Sequence, residues 1–195
     1  ASLGRGLAAV SDVLRTTAPA DGLALLGRAA AGAPVCGPAA LALSHVMEVL
    51  YAEAAGEWPL IDGEKLAPLV GLGPGLTPSG DDYLGGVLIA LCLLGRVSLR
   101  DRLWQILEPL VAERTVDISA AHLAAAAEGF GCAALNRVLC AILVGATDRV
   151  VADAIMALAA VGHSSGWDAL AGALAVLTTW RSPGLRAASP AWLVA

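Results

Sequence analysis

Two stretches decide how this chain is read: Ser79-Gly-Asp-Asp-Tyr-Leu-Gly-Gly-Val-Leu88 and Ser165-Gly-Trp-Asp-Ala-Leu-Ala-Gly-Ala-Leu174. Laid over one another at an offset of 86 residues, they share Ser, Gly, Asp, Leu, Gly and Leu in register, and Leu91 falls on Leu177. Each reads as a loop running into a helix that is apolar on every side, the pattern of a core helix. Gly85, Gly86, Ala171 and Gly172 keep both helices small. A glycine inside a helix costs roughly 1 kcal/mol relative to alanine, so a packing reason is expected. The two helices are therefore expected to be neighbours in the interior of a bundle, with Gly86 and Gly172 near their contact and the leading loops converging on one site.

Outside this pair Ala and Leu dominate, β-branched residues are few, and no stretch alternates apolar and polar over the length of a strand. The pattern predicts an all-α fold. Helices are expected near 3–16, 21–31, 38–55, 64–70, 81–95, 99–114, 117–128, 132–145, 148–161 and 166–180. Ser98 with Asp101 and Thr147 supply start signals. No flexible linker divides the sequence, and 195 residues fit one helical domain at about 150 residues per domain.

Composition excludes several functions. The chain is 57% apolar and 15% charged, with a net charge of -5, so disorder, which needs low hydrophobicity and high net charge, is excluded. Twelve basic residues scattered among 17 acidic ones form no basic stripe, and no nucleic-acid partner is expected. The mean hydropathy of +0.73 raises the membrane question. The single uncharged run of spanning length, Ala29 to Met47, is broken by Gly32, Pro34, Gly37 and Pro38, so no membrane span is expected. Asp12 and Arg15 interrupt the first apolar stretch, which argues against a secretory signal and for a cytoplasmic location. Cys36, Cys92, Cys132 and Cys140 form no CxxC pair and are expected to be buried free thiols.

The loop Gly71-Leu-Gly-Pro-Gly-Leu-Thr-Pro-Ser-Gly-Asp-Asp82 carries the strongest chemical signal. Its glycines permit positive φ, and it leads backbone N–H groups to a helix N-terminus, where anions bind readily. It lacks the Gly-Lys-Ser/Thr of a Walker loop, and no strand precedes it. Ser79-x-x-Asp82 and Ser165-x-x-Asp168 also fit capping boxes, which would leave both serines a purely structural task. Capping does not account for Asp81, which could ligate a metal or act as a base and is expected to matter little for stability. His163, opposite Thr77 in the repeat register, is either a core histidine or a general acid. Arg114 suits a bidentate clamp on a carboxylate or phosphate, or is an ordinary charge at a helix end. Thr115, or Ser119 with His122, would add hydroxyls, while His45 and His122 read as structural. Trp104, Trp180 and Trp192 read as core or interface residues.

The blocks Gly71 to Leu84, Arg114-Thr115 with Ile118-Ser-Ala-Ala-His-Leu123 and Ala126-Ala-Glu-Gly129, and Gly162-His-Ser-Ser-Gly-Trp-Asp-Ala-Leu-Ala-Gly172 resemble those of the AllH family. That family includes the third subunit of oxamate carbamoyltransferase from anaerobic allantoin catabolism, and many of its members have no assigned function. The resemblance implies FdrA-like and AllG-like partner subunits and movement of a carbamoyl group between oxalurate, or a similar ureido or amide acid, and phosphate. It also implies a β-rich portion ahead of the helical part, which is expected to be missing from 1–195.

In the resulting scheme Gly73, Gly75, Thr77, Ser79 and Gly80 hold phosphate or carbamoyl phosphate on the loop. Arg114 and Thr115 meet an acid group, Ser164, Ser165 and Asp168 complete the substrate site, and Asp81, Asp82 and His163 carry the chemistry, with no cofactor or metal. Self-association into a homo-oligomer is left open. The alternatives are a stand-alone hydrolase resembling the helical ADP-ribosylglycohydrolases, with magnesium on Asp81, Asp82 and Asp168, and a scaffold subunit without catalysis.

Overall fold

The computed structural model describes residues 2–17, residue 23 and residues 37–181. The described residues form α-helices and no strand: α1 (Ser2–Thr17), α2 (Pro38–Ala54), α3 (Gly63–Leu66), α4 (Ser79–Leu93), α5 (Val97–Arg114), α6 (Asp117–Ala127), α7 (Ala133–Val144), α8 (Asp148–Ala159) and α9 (Ser165–Thr179). The fold is all-α, as the sequence predicts. Apart from Leu23, the expected helix at 21–31 lies outside the described residues, as do Cys36 and Trp192.

The outer helices bury one stripe each. In α5 the buried residues Leu99, Leu103, Leu107 and Val111 recur every fourth position, and in α8 Val151, Ala154, Ile155 and Leu158 follow the same helical period. Two helices behave otherwise. From Tyr83 to Leu91 every residue of α4 is buried, and α9 buries Leu170 to Leu174 without a break. They share the most extensive contact among the described elements, while α6 and α5 also flank α4 and α1 packs on α7 and α8.

Glycine permits the central contact. A Cβ added at Gly86 would stand 1.9 Å from the carbonyl oxygen of Ala169, and one at Gly172 would stand 1.9 Å from that of Tyr83. Residues 83 and 169, like 86 and 172, are equivalent in the repeat. The contact is thus reciprocal, as across a local two-fold axis. Backbone meets backbone at a distance that leaves no room for a side chain.

The repeat continues into the loops with a different offset. Gly73, at φ +111, packs on Ser79, and Gly162, at φ +64, packs on Ser165. Five residues separate the first pair and two the second, so the first loop carries three extra residues between matching anchors.

Several helix starts differ from expectation. Pro78 and Ser164 occupy the N-cap positions of α4 and α9, and neither makes a side-chain capping bond. Ser79 and Ser165 therefore sit inside the first turn, and the capping-box reading does not hold. The start signal at Ser98 is displaced, since α5 begins at Val97 behind Arg96, and Thr147 takes the N-cap position of α8 without a side-chain bond. A true side-chain cap occurs at Asp62, which accepts from the N–H groups of Glu64 at 3.0 Å and Lys65 at 3.4 Å. The thiols also depart from expectation: Cys132 and Cys140 are exposed and Cys92 is half-buried, because the first two fall on outward positions of α7 and its cap.

Candidate active site

The two loops converge. Thr77, next to the cap of α4, shares a 2.7 Å hydrogen bond with Ser165 in the first turn of α9. Beside this junction lies a cavity of about 510 Å³, walled by α4, α6, the connection into α7 and the first turns of α9. That volume falls within the range of small-molecule sites, roughly 300–1,000 Å³. Its lining is mainly apolar, with Ile89, Leu123, Phe130, Leu135 and Val161. The polar groups are Thr77, Asp81, Asp82, Ser119, His122 and Ser165, and no Lys or Arg is among the lining residues.

The adjacent carboxylates have opposite environments. Asp81 is buried and saturated: Oδ1 accepts from the N–H of Gly71 at 2.8 Å, while Oδ2 accepts from the hydroxyls of Ser119 at 2.6 Å and Thr115. It ties the start of the glycine loop to the corner between α5 and α6. Asp82 stands one residue on, where Oδ2 is buried and has no hydrogen-bond partner among the described residues. Burial above all, and then the charges of Asp168 and Asp81, push its carboxyl up to about 7 against the pull of the nearby Ser165 and Thr77 hydroxyls. A carboxyl poised near neutrality at the wall of a cavity suits proton transfer.

The remaining sequence candidates fall in three places. Ser165 lines the cavity, and Asp168 is fully buried beneath it, where its Oδ1 accepts from the N–H of Leu23 at 2.6 Å. Gly73 and Gly75 lie exposed outside; of the loop's residues before Ser79, Thr77 alone reaches the cavity, and the N–H of Gly80 is already given to the carbonyl of Leu72 at 2.9 Å. His163 is exposed, and neither it nor Ser164 is among the lining residues. The side chain of Arg114 is exposed as well; its carbonyl oxygen, 2.2 Å from a Cβ built on Gly71, is what approaches the loop.

One residue was undervalued by sequence. His122 lines the cavity from α6, three positions after Ser119 and so on the same helical face. That spacing was the available signal, and the alanines around it hid the face. His45 is structural as expected, its Nε2 accepting from the N–H of Asp62 at 2.9 Å. For magnesium, among the described residues no group of three or more His, Cys, Asp or Glu is placed to hold a metal ion. Asp81 and Asp168 turn oxygens onto separate protein donors, so the three-aspartate arrangement of the hydrolase alternative does not form.

The model of the family described as oxamate carbamoyltransferase subunit AllH matches residues 69–177, from just before the glycine loop through most of α9 and over more than half of the sequence. The chain belongs to the AllH family. The match encloses both loop–helix units and every described wall of the cavity. A family described as one subunit of an enzyme implies partner subunits for this AllH chain. No solved structure matches it, and no described helix is long and apolar enough to cross a membrane.

Proposed function

We propose that this AllH-family chain contributes the amide-acid site of an oxamate-carbamoyltransferase-type complex, exchanging a carbamoyl group between a ureido acid such as oxalurate and phosphate. In the direction that builds the ureido acid, the amide nitrogen of oxamate attacks the carbonyl carbon of carbamoyl phosphate, the carbon–oxygen bond to phosphate breaks, and the nitrogen gives up one proton. Asp82 takes that proton and returns it in the reverse direction. The observation that carries this reading is a single one: a carboxyl poised near pH 7 with a buried oxygen that has no partner among the described residues, at the polar end of an otherwise apolar cavity.

Asp81 in this reading is a positioning residue, because its oxygens are occupied by Gly71, Thr115 and Ser119. Phosphate belongs to the outer side, against the exposed Gly73–Leu76 stretch ahead of α4, where backbone N–H groups and the helix dipole favour an anion. No Lys or Arg is among the lining residues, so further positive charge comes from outside the cavity, from Arg114 or from an FdrA-like or AllG-like partner. The test is Asp82→Asn in the assembled complex. Asparagine keeps the size and cannot accept the proton, so carbamoyl transfer should fall by about 10²–10⁴-fold, with unfolding unchanged or shifted slightly toward stability. Full transfer by that variant would remove Asp82 from the reaction.

A further inference from the structure

The two-fold relation between α4 and α9 makes Asp82 and Asp168 equivalent, each in the fourth position of its helix and 86 residues apart. Their surroundings differ in one respect that bears on the ligand. At Asp168 the chain itself supplies a donor: the backbone N–H of Leu23, a buried residue, reaches Oδ1 at 2.6 Å. At Asp82 the carboxyl lines the cavity instead: the Ser165 and Thr77 hydroxyls stand beside it, no backbone N–H of the described residues bonds to it, and its buried Oδ2, which faces no donor among those residues, is within reach of a ligand. A buried acceptor without a donor is costly, and such groups in native proteins are commonly satisfied by something that binds. What binds at Asp168 is a peptide amide. We infer that Asp82 is the specificity-determining residue of the cavity and accepts the N–H of an amide or ureido ligand, as Asp168 accepts the N–H of Leu23.

This deepens the function proposed above and rests on it for the reaction, though not for the recognition. The apolar walls contributed by Ile89, Leu123 and Leu135 would hold the flat amide without competing for its hydrogens. A ligand of the same shape with a methyl in place of the amino group would leave Asp82 desolvated and unpaired, and that penalty is the source of selectivity.

Oxamate and pyruvate differ in just this exchange of NH₂ for CH₃, and their affinities for the assembled complex can be compared by calorimetric titration. The expected result is a preference for oxamate of about 10–100-fold, the effect of one hydrogen bond to a charged group. Asp82→Leu should reduce the preference to within about twofold, while Asp82→Asn, which keeps an acceptor oxygen, should retain part of it as transfer collapses. Equal affinities in the wild-type complex, a comparison that needs no variant, would overturn the inference, as would a preference undiminished in Asp82→Leu. A complex that selects oxamate through Asp82 yet moves no carbamoyl group would uphold the recognition and remove the proposed function. One that moves carbamoyl groups but does not distinguish the two acids would do the reverse.

Discussion

The first and second loop–helix units share a frame and differ in what fills it. Both place a left-handed glycine against the first serine of a buried helix, and both press a glycine onto the partner's backbone, Gly86 on Ala169 and Gly172 on Tyr83. In the second unit the loop is short and the aspartate is closed off, with Asp168 sealed and bonded to Leu23. The first carries three more loop residues, one of which, Thr77, bridges to Ser165, and its Asp82 opens on the cavity. A duplicated frame accounts for stability, and the departure from symmetry makes the site.

The sharpest way to break the comparison is at the shared contact. Gly172→Leu brings a side chain to where even a Cβ would lie 1.9 Å from the Tyr83 carbonyl oxygen. Neither backbone can yield without separating the units, so the loss should reach or exceed the upper end of the roughly 1–3 kcal/mol typical of overpacking. Denaturant unfolding would show it, and a wild-type midpoint would mean that the helices are not in this contact.

A smaller effect separates the neighbouring aspartates. Asp81→Asn sets an amide NH₂ against at least one of three donors. The hydroxyls of Thr115 and Ser119 can rotate, but the N–H of Gly71 cannot, so a loss of about 1–3 kcal/mol is expected. This reverses what the sequence suggested, since it pointed to Asp81 as free of structural duty. Equal unfolding midpoints for Asp81→Asn and wild type would return Asp81 to that role.

The asymmetry also has a pH signature. The Asp82 carboxyl is raised to about 7 in the folded chain, against about 3.9 when unfolded. Between those values the folded state holds a proton that the unfolded state lacks. Stability from this group therefore increases as pH falls from about 7 toward 4 and is lost as pH rises through 7. Asp81 on the same helix and Asp168 on α9 favour the protonated form, and His122 faces the same cavity from α6. Unfolding midpoints across pH 5 to 8 should show this component in wild type and lack it in Asp82→Asn.

Ser79→Ala should do least. Without a capping bond at Ser79, the change is expected to stay within about 0.5 kcal/mol. A larger drop in melting temperature would restore the cap that the sequence proposed.

Sequence alone determined the all-α fold, because helical period and alanine-rich composition are local properties that a chain carries into any packing. It also determined the pairing of α4 with α9, because the recurring Ser-Gly and the glycines at 86 and 172 make sense only where two helices approach closely. Tertiary structure decided which carboxylate was spent and which was available. Asp81 and Asp82 are neighbours of identical chemistry, and their difference comes from residues up to 38 positions away, Ser119 on one side and an apolar cavity on the other. The same holds for His163, which has the residue type of a proton donor but an exposed position, and for His122, whose place at the wall depends on α6 packing against α4. Burial and hydrogen bonding are long-range outcomes of packing, so a motif can name the residues of a site without assigning their roles.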